Sequence, residues 1–360
     1  MKNSRKCVHC LVLWLLLTCG ISATKNTMTS YLHFRTSIPQ DDKSYFSLRR
    51  LAIFGNYQIA KWAAISIRFI YKAGNRSSTD DKIYLQHAYI NLFLSPLFCF
   101  KIGQFKPPFG WERFVPDYRL IGVERSQVID RLIPVGSLGA SFARDYGIQV
   151  YNNAVRSPLS YELAVMTGSG ANTSLTTKNA PLLIGRISFK KMFKLPSLIN
   201  TCHLLMQLAY SYRCDTDINF NKQLPGVNES LFSHFKGRDY RFNAALHLKN
   251  GAADFAAEYI RASFRHTETG RPSIFAYGWY TQVSYSIDKN VEVFFKFECF
   301  APYRRCAPVQ DIKWMTLGIN YYFNHQKSRI MLNYIHKIEN INIIGNNMLI
   351  LQLQYFLLDI

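Results

Sequence analysis

From Ser30 to Phe356 the sequence is a train of short segments in which apolar and polar residues alternate. Ala63, Ile65, Ile67, Phe69 and Tyr71 interleave with Ala64, Ser66, Arg68 and Ile70. Leu204, Met206, Leu208 and Tyr210 interleave with Gln207, Ala209, Ser211 and Arg213. The same period recurs at Phe242–Leu248, Val291–Phe297, Met315–Tyr321 and Ile330–Tyr334. A period of two places each set on its own face of a β-strand.

A soluble sandwich alternates too. Three features favour a membrane barrel. The segments match the ~9–11 residues that a tilted strand needs to cross a bilayer. Tyr, Phe and Trp recur at segment ends, as aromatic girdles do. Charged residues stand on the face opposite the apolar one in nearly every segment, which suits a wet interior. Sixteen strands are expected, at roughly 30–38, 45–55, 62–72, 83–94, 98–105, 144–152, 159–168, 182–190, 203–213, 240–249, 252–261, 278–287, 291–300, 314–323, 328–337 and 347–356. Barrels of about 16–18 strands leave an aqueous channel.

The first 23 residues read as a secretory signal peptide. Lys2, Arg5 and Lys6 form a basic start, Leu11–Leu17 an apolar core, and Ile21-Ser22-Ala23 a small-residue cleavage site. The apolar run is too short for a comfortable membrane span, and the residues around Cys19 fit a lipoprotein site poorly. Residues 24–360 carry no linker or composition shift and read as one domain. Cys7, Cys10 and Cys19 leave with the signal. The five remaining cysteines lack metal-like spacing, so neither a zinc site nor a disulfide framework is expected. Cys299 and Cys306 are spaced to close a short loop, although packing roles account for them as well.

One stretch breaks the pattern. The strand ending at Phe105 runs into Lys106-Pro107-Pro108-Phe109-Gly110-Trp111. The prolines remove two ladder donors and Gly110 permits a sharp bend. Residues 106–143 are too long for a hairpin turn. By pattern alone this loop either folds into the barrel or lies outside it. It holds Lys106, Arg113, Arg119, Arg125 and Arg131, the candidate anion-binding residues, with Glu112, Asp117, Glu124 and Asp130 close by. Local ion pairing that stiffens the loop is one reading. Guanidinium groups open to phosphate or carboxylate oxygens are the other.

Several motifs carry a family resemblance. "KIGQFKPPFGWE" is followed by "RSQVIDRLIPVGSLGASFARDYGIQVYNN" and "LSYELAVMTGSGAN". The strand ending in GQFKPPFG, the Arg-Asp-x-Gly entry at Arg144–Gly147 and the Gly-rich turn at Thr167–Ala171 resemble the phosphate-selective porin O/P family of Gram-negative outer membranes. "SLRRLAIFG", "YGWYTQVSYSI" and "TLGINYYFNHQKSRIMLNY" resemble that family's early and closing strands. The resemblance implies a trimeric, 16-stranded anion channel whose third loop inserts to form the constriction. The expected fold is therefore an all-β transmembrane antiparallel barrel with an inward-folded loop after its fifth strand.

The formal charge is +20, and loss of Lys2, Arg5 and Lys6 leaves about +17. Nucleic acid, an anionic membrane or an anionic solute fits such a balance, as does a lysine-rich host composition. An exported barrel without a recognition motif does not suit nucleic acid. Alternation turns Arg68, Arg186, Lys190, Arg213, Arg241, Lys249, Lys296, Arg329 and Lys337 toward the lumen, against Glu162, Asp254, Glu258, Glu292 and Glu298. Of the adjacent Arg49 and Arg50, one is expected to point away. Rings of Arg and Lys are the usual basis of anion-selective pores.

No G-x-S-x-G, H-E-x-x-H or P-loop pattern occurs, and the nine His are scattered. An enzyme is not expected, nor a cofactor or metal. The expected function is a passive outer-membrane channel for small anions, phosphate among them, surrounded by outer-membrane lipid and assembled as a homotrimer. The alternatives are a general diffusion porin without a solute site, and a structural or adhesive surface barrel whose 214–239 segment, with Asn228 and His234, binds a partner. Phe356 is expected to serve as the terminal aromatic read by the assembly machinery, displaced by a four-residue tail.

Overall fold

The computed structural model describes residues 26–72, 83–134, 144–153, 157–172, 180–194, 201–218, 235–268, 270–271, 273–302, 311–323, 328–339 and 346–359. The signal segment, residues 135–143, Asn228, His234 and Cys306 lie outside the described residues. Sixteen strands form the wall: β1 (Thr27–Pro39), β2 (Tyr45–Ala60), β3 (Ala63–Lys72), β4 (Ile83–Phe93), β5 (Cys99–Phe105), β6 (Asp145–Tyr151), β7 (Leu159–Met166) and β8 (Leu182–Phe193) make the first half. The second half is β9 (Cys202–Ile218), β10 (Phe235–Asn250), β11 (Ala253–His266), β12 (Ile274–Ser286), β13 (Val291–Ala301), β14 (Ile312–Phe323), β15 (Ser328–Glu339) and β16 (Met348–Asp359). Each pairs antiparallel with its sequence neighbours, and β1 pairs with β16 to close the barrel. Closure leaves no edge whose backbone groups would face lipid unpaired.

Burial is inverted relative to a soluble protein. Leu163, Ile187, Leu208, Leu317, Leu332 and Leu351 are exposed on the outer face. Arg186, Arg213, Arg241, Lys296, Arg329 and Asn333, from the alternate positions, are buried. The expected register therefore holds: Arg68 is buried while Ile65, Ile67 and Phe69 beside it are partly exposed. Ala63 departs from it. It is 2% exposed, at the strand end where the β2–β3 pairing shifts between Gln58 and Ala60.

The two rims differ. Connections at 61–62, 251–252 and 287–290 are short, whereas those at 106–144, 167–181 and 219–234 on the opposite rim are long. Outer-membrane barrels show this asymmetry, with the short turns on the periplasmic side.

Two expectations need correction. Arg49 and Arg50 both face inward, at 9% and 6% exposure. The β1–β2 register shifts between His33 and Phe34, which pair with Arg50 and Leu48, so that Arg49 is the bulged residue of β2. A bulge of this kind breaks the strict alternation of faces. Strands β9 and β10 also run further than the segments 203–213 and 240–249. The extension places Asp215 and Asp239 beside Arg213 and Arg241, with Arg213 Nε 2.6 Å from Asp215 and Arg241 Nη2 2.7 Å from Asp239. Charged residues face inward there, so no apolar signal marks the continuation. The expected assembly aromatic, Phe356, packs inward against Tyr31 and Tyr118, at ring separations of 5.8 and 5.4 Å. Tyr355 is the aromatic exposed outward.

The motifs at β5 and β6 have structural explanations. Gly103 and Gly147 pair directly across these strands. Gly103 has φ +130°, and a Cβ on it would lie 2.4 Å from the Ala88 carbonyl oxygen. Asp145 accepts bonds from Gly168 N at 2.6 Å, Gly170 N at 3.2 Å and Thr167 Oγ1 at 2.5 Å. Gly168 and Gly170 have φ of 75° and 89°, so the turn is tight and depends on that carboxylate. Asp145→Ala leaves buried amides without acceptors, a cost of about 1–3 kcal/mol. The expected result is a lower urea midpoint for the refolded barrel and faster proteolysis near residues 167–172. An unchanged midpoint and cleavage rate would show that Asp145 does not hold the turn.

Candidate functional site

Residues 106–134 leave β5 at Lys106 and bond to side chains of several strands. Gly110 takes φ +81°, in the left-handed region that favours glycine. The turn it makes lets Trp111 N and Glu112 N donate to the Glu258 carboxylate of β11, at 2.8 and 2.9 Å. Asn243 Nδ2 also donates to Glu258, at 2.8 Å. The Trp111 ring stacks on His247 of β10, 4.6 Å between centroids.

Two short 3₁₀ turns, Glu112–Phe114 and Asp117–Arg119, follow. Then comes a short helix, α1 (Gln127–Leu132). Its start is held by Glu112, whose carboxylate accepts from Ser126 N at 2.9 Å and from Ser126 Oγ at 3.2 Å. Burial raises the pKa of Glu112. Val128, Ile129 and Leu132 bury the apolar face of α1 in one cluster with Ala256, Ile260 and Phe300 of the wall.

Between Asp117 and Ser126 the segment meets the strands on either side of the closing seam. Arg329 Nη2 of β15 donates to Leu120 O at 2.5 Å, and Gln354 Nε2 of β16 donates to Tyr118 O at 3.1 Å. Val123 N donates to Asn333 Oδ1 at 2.9 Å. Asn320 Nδ2 of β14 donates to Ile121 O at 3.0 Å. Three guanidinium groups converge on Glu124: Arg35 at 2.5 Å, Arg49 at 2.7 Å and Arg50 at 3.1 Å. Asp117 takes Arg125 at 2.6 Å and Arg68 at 3.2 Å.

Arg50, Lys106, Arg113, Arg125 and Arg144 meet Asp117, Glu124 and Asp130 around a cavity of about 30 Å³, roughly the share of one water molecule. Five basic side chains thus face three acidic ones there. Burial, then the positive charges of Arg144, Arg125 and Arg113, holds Lys106 well below the usual lysine range. Burial and neighbouring cations likewise lower Arg113 and Arg144. Burial opposes ionisation of Asp117 as well, but Arg50, Arg125 and Arg68 outweigh it and hold its carboxyl well below the carboxylate range.

The loop candidates separate accordingly. Lys106, Arg113 and Arg125 come together at this cavity. Arg113 is 5% exposed, and its Nε has no hydrogen-bond acceptor. Arg125 is tied to Asp117 and to the Val115 carbonyl, the latter at 2.7 Å. Arg119 is exposed and lies over Tyr118, its guanidinium 5.8 Å from the ring centroid. Arg131 lies over Phe300 at 5.5 Å, and its Nε donates to Gln127 Oε1 at 3.0 Å.

The wall candidates separate too. Arg213 and Arg241 are bound in their aspartate network, Arg186 is paired with Glu162, and Lys296 lies 2.8 Å from Glu298. Lys190 and Lys249 lie near the short-turn rim and are exposed. Lys337 lies over Trp314, 4.7 Å from the ring centroid. Arg329 donates to backbone carbonyls of the segment and lies over Tyr322 at 5.6 Å.

Sequence reading missed Arg35, Lys101 and the hub roles of Glu124 and Glu258. Lys101 sits at an inward position of β5, its ammonium 5.2 Å from the Tyr89 centroid and 5.3 Å from that of Tyr151. Odd-position parity with Cys99 and Phe105 is the signal that would have found it.

A closed sixteen-strand wall, apolar outside and charged inside, defines a porin-type barrel. Residues 200–347 match the family model described as phosphate-selective porin O and P, the family that the sequence resembles. Among solved structures, a loop-deleted OmpT, an outer membrane protein of Vibrio cholerae, superposes with a TM-score of 0.64 at 11% identity, covering 92% of this chain and 99% of that one. The anion-selective porin from Comamonas acidovorans gives 0.60 at 10% identity, covering 92% and 99%. OmpF of Salmonella typhi gives 0.64 at 13% identity, covering 92% and 97%. At such identities the likeness is one of fold. A search of the curated proteins gives no match. The family match and the fold together support an outer-membrane channel rather than an enzyme.

Proposed function

We propose that this barrel is a passive outer-membrane channel that favours small anions, phosphate among them, and that residues 106–134 fold inward and narrow its lumen. The observation that carries this reading is the positive excess where the segment meets the wall. Arg50, Lys106, Arg113, Arg125 and Arg144 outnumber the acids around that cavity. A low-dielectric wall focuses such a potential into the pore. The bonds from the segment to β11, β14, β15 and β16 support the inward course. Glu258, Asn333 and Gln354, which accept or donate in these bonds, hold inward-facing positions. Assembly as a homotrimer belongs to the same reading, as does removal of residues 1–23 on export. The OmpT of Vibrio cholerae is itself described in a trimer form.

The test is the reversal potential of the reconstituted protein across a KCl gradient in a planar bilayer. A potential on the chloride side is expected. A potential of zero fits a general diffusion pore, and one on the potassium side excludes the reading.

A further inference from the structure

Next to the small cavity lies a larger chamber of about 240 Å³, and the two share Lys106 and Arg144. At ~30 Å³ per water it has room for about eight waters. Its charged lining is Arg68, Lys101, Lys106 and Arg144, and among the described residues no Asp or Glu lines it. The rest of its wall is rich in rings: Phe54, Tyr89, Phe105, Phe114 and Tyr118.

Lys101 and Lys106 lie against ring faces, whereas Arg68 adds an ion pair with Asp117 to its ring contacts. Lys101 lies 5.2 Å from the Tyr89 centroid and 5.4 Å from that of Phe105. Lys106 lies 5.5 Å from the Phe114 centroid, and Arg68 5.2 Å from that of Phe54. Lys106 donates to the Arg113 carbonyl at 2.8 Å, and Arg68 contacts Asp117 at the chamber's edge. Lys101 has no ion pair or hydrogen bond to any described residue. Phe54 and Tyr118 stack, with centroids 6.1 Å apart and an interplanar angle of 11°.

This lining suits a particular chemistry. A small, fully hydrated anion such as phosphate would draw on Asn56, Ser66 and His87 as well as on the cations, but would gain nothing from Phe54, Phe105 and Phe114. An anion with a flat apolar body gives up water only at its head. Pockets that hold such molecules are mostly apolar with a few placed polar groups. We propose that this chamber is a binding site for organic anions that carry a carboxylate on an aromatic ring. The carboxylate meets Lys101, Lys106 and Arg144, and the ring packs among Phe54, Phe114 and Tyr118. The proposal rests on the reading of the barrel as an anion channel and names its preferred solute class.

The experiment compares block of KCl current through the single channel by benzoate, cyclohexanecarboxylate and inorganic phosphate at pH 7. Phosphate carries more charge than benzoate at that pH, so charge alone predicts stronger block by phosphate. Cyclohexanecarboxylate has the same head without the aromatic face. The expected half-blocking concentration for benzoate is about fivefold below that of cyclohexanecarboxylate, the scale of one aromatic contact, and below that of phosphate. Lys101→Gln raises it for all three, and Phe114→Leu erases the advantage of benzoate over cyclohexanecarboxylate. Equal block by the two carboxylates, stronger block by phosphate, no block by benzoate, or a benzoate advantage that survives Phe114→Leu each overturns the proposal. The reversal potential in KCl is read on the same channels. Potassium selectivity defeats the channel reading itself, whereas chloride selectivity without a benzoate advantage defeats only the chamber.

Discussion

A channel lacking residues 113–129 is expected to conduct several times more current than the intact protein, with a weaker preference for anions. The deletion removes Arg113, Arg125, Asp117 and Glu124 from the charged cavity, together with the start of α1. It leaves the ladder of all sixteen strands intact, because none of its residues pairs in the sheet. The wall groups that lose partners, such as Asn320, Asn333 and Gln354, would face a wider aqueous lumen, where water replaces the lost acceptors and donors. Ala256 and Ile260, now under α1, would become wetted. The barrel should therefore fold, with a lower urea midpoint. Single-channel recordings decide the point. A conductance equal to that of the intact channel would place the segment outside the ion path.

The second expectation concerns one carboxylate. Arg35, Arg49 and Arg50 share Glu124, so the group carries two net positive charges. Glu124→Gln keeps the size and one acceptor oxygen but raises that charge to three. The reversal potential in a KCl gradient should move further toward chloride, while conductance changes far less than in the deletion. The shift should shrink at high ionic strength as screening grows. If the reversal potential does not move, these three guanidinium groups do not sense the permeating ions. A large conductance increase would instead show that Glu124 acts chiefly as a tether.

The strands were legible because their signal is local. A period of two, read over eight or more residues, located all sixteen and the side on which Arg68, Arg186, Arg213 and Arg329 lie. Arg49 and Arg50 were not legible, since a bulge is a property of a strand pair rather than of one strand. The break at Pro107-Pro108 and the bend at Gly110 could be read as chain punctuation. The partners of the segment could not. Glu124 is 75 residues from Arg49 and 89 from Arg35, and only the closed wall brings them together. Charge pairing within the loop was partly visible: Asp117 and Arg125 do meet, while Arg119, two residues from Asp117, is exposed. Proximity in sequence therefore did not identify which cations are neutralised.

The last strand must find the first, and the cost of that search bears on the bonds around Glu124. Arg35 and Gln352 are 317 positions apart and bond across the joint between β1 and β16 at 2.6 Å. Bringing the ends of so long a flexible chain together costs about 5 kcal/mol of loop entropy. The segment grips both sides of that joint, with Glu124 and Asp117 on Arg35, Arg49, Arg50 and Arg68, and with Tyr118, Leu120 and Val123 on Arg329, Asn333 and Gln354. Contacts of this kind, made early in assembly, would act as an internal clasp that shortens the effective distance between the first and last hairpins. Without the clasp, the finished barrel should fold through a slower final step.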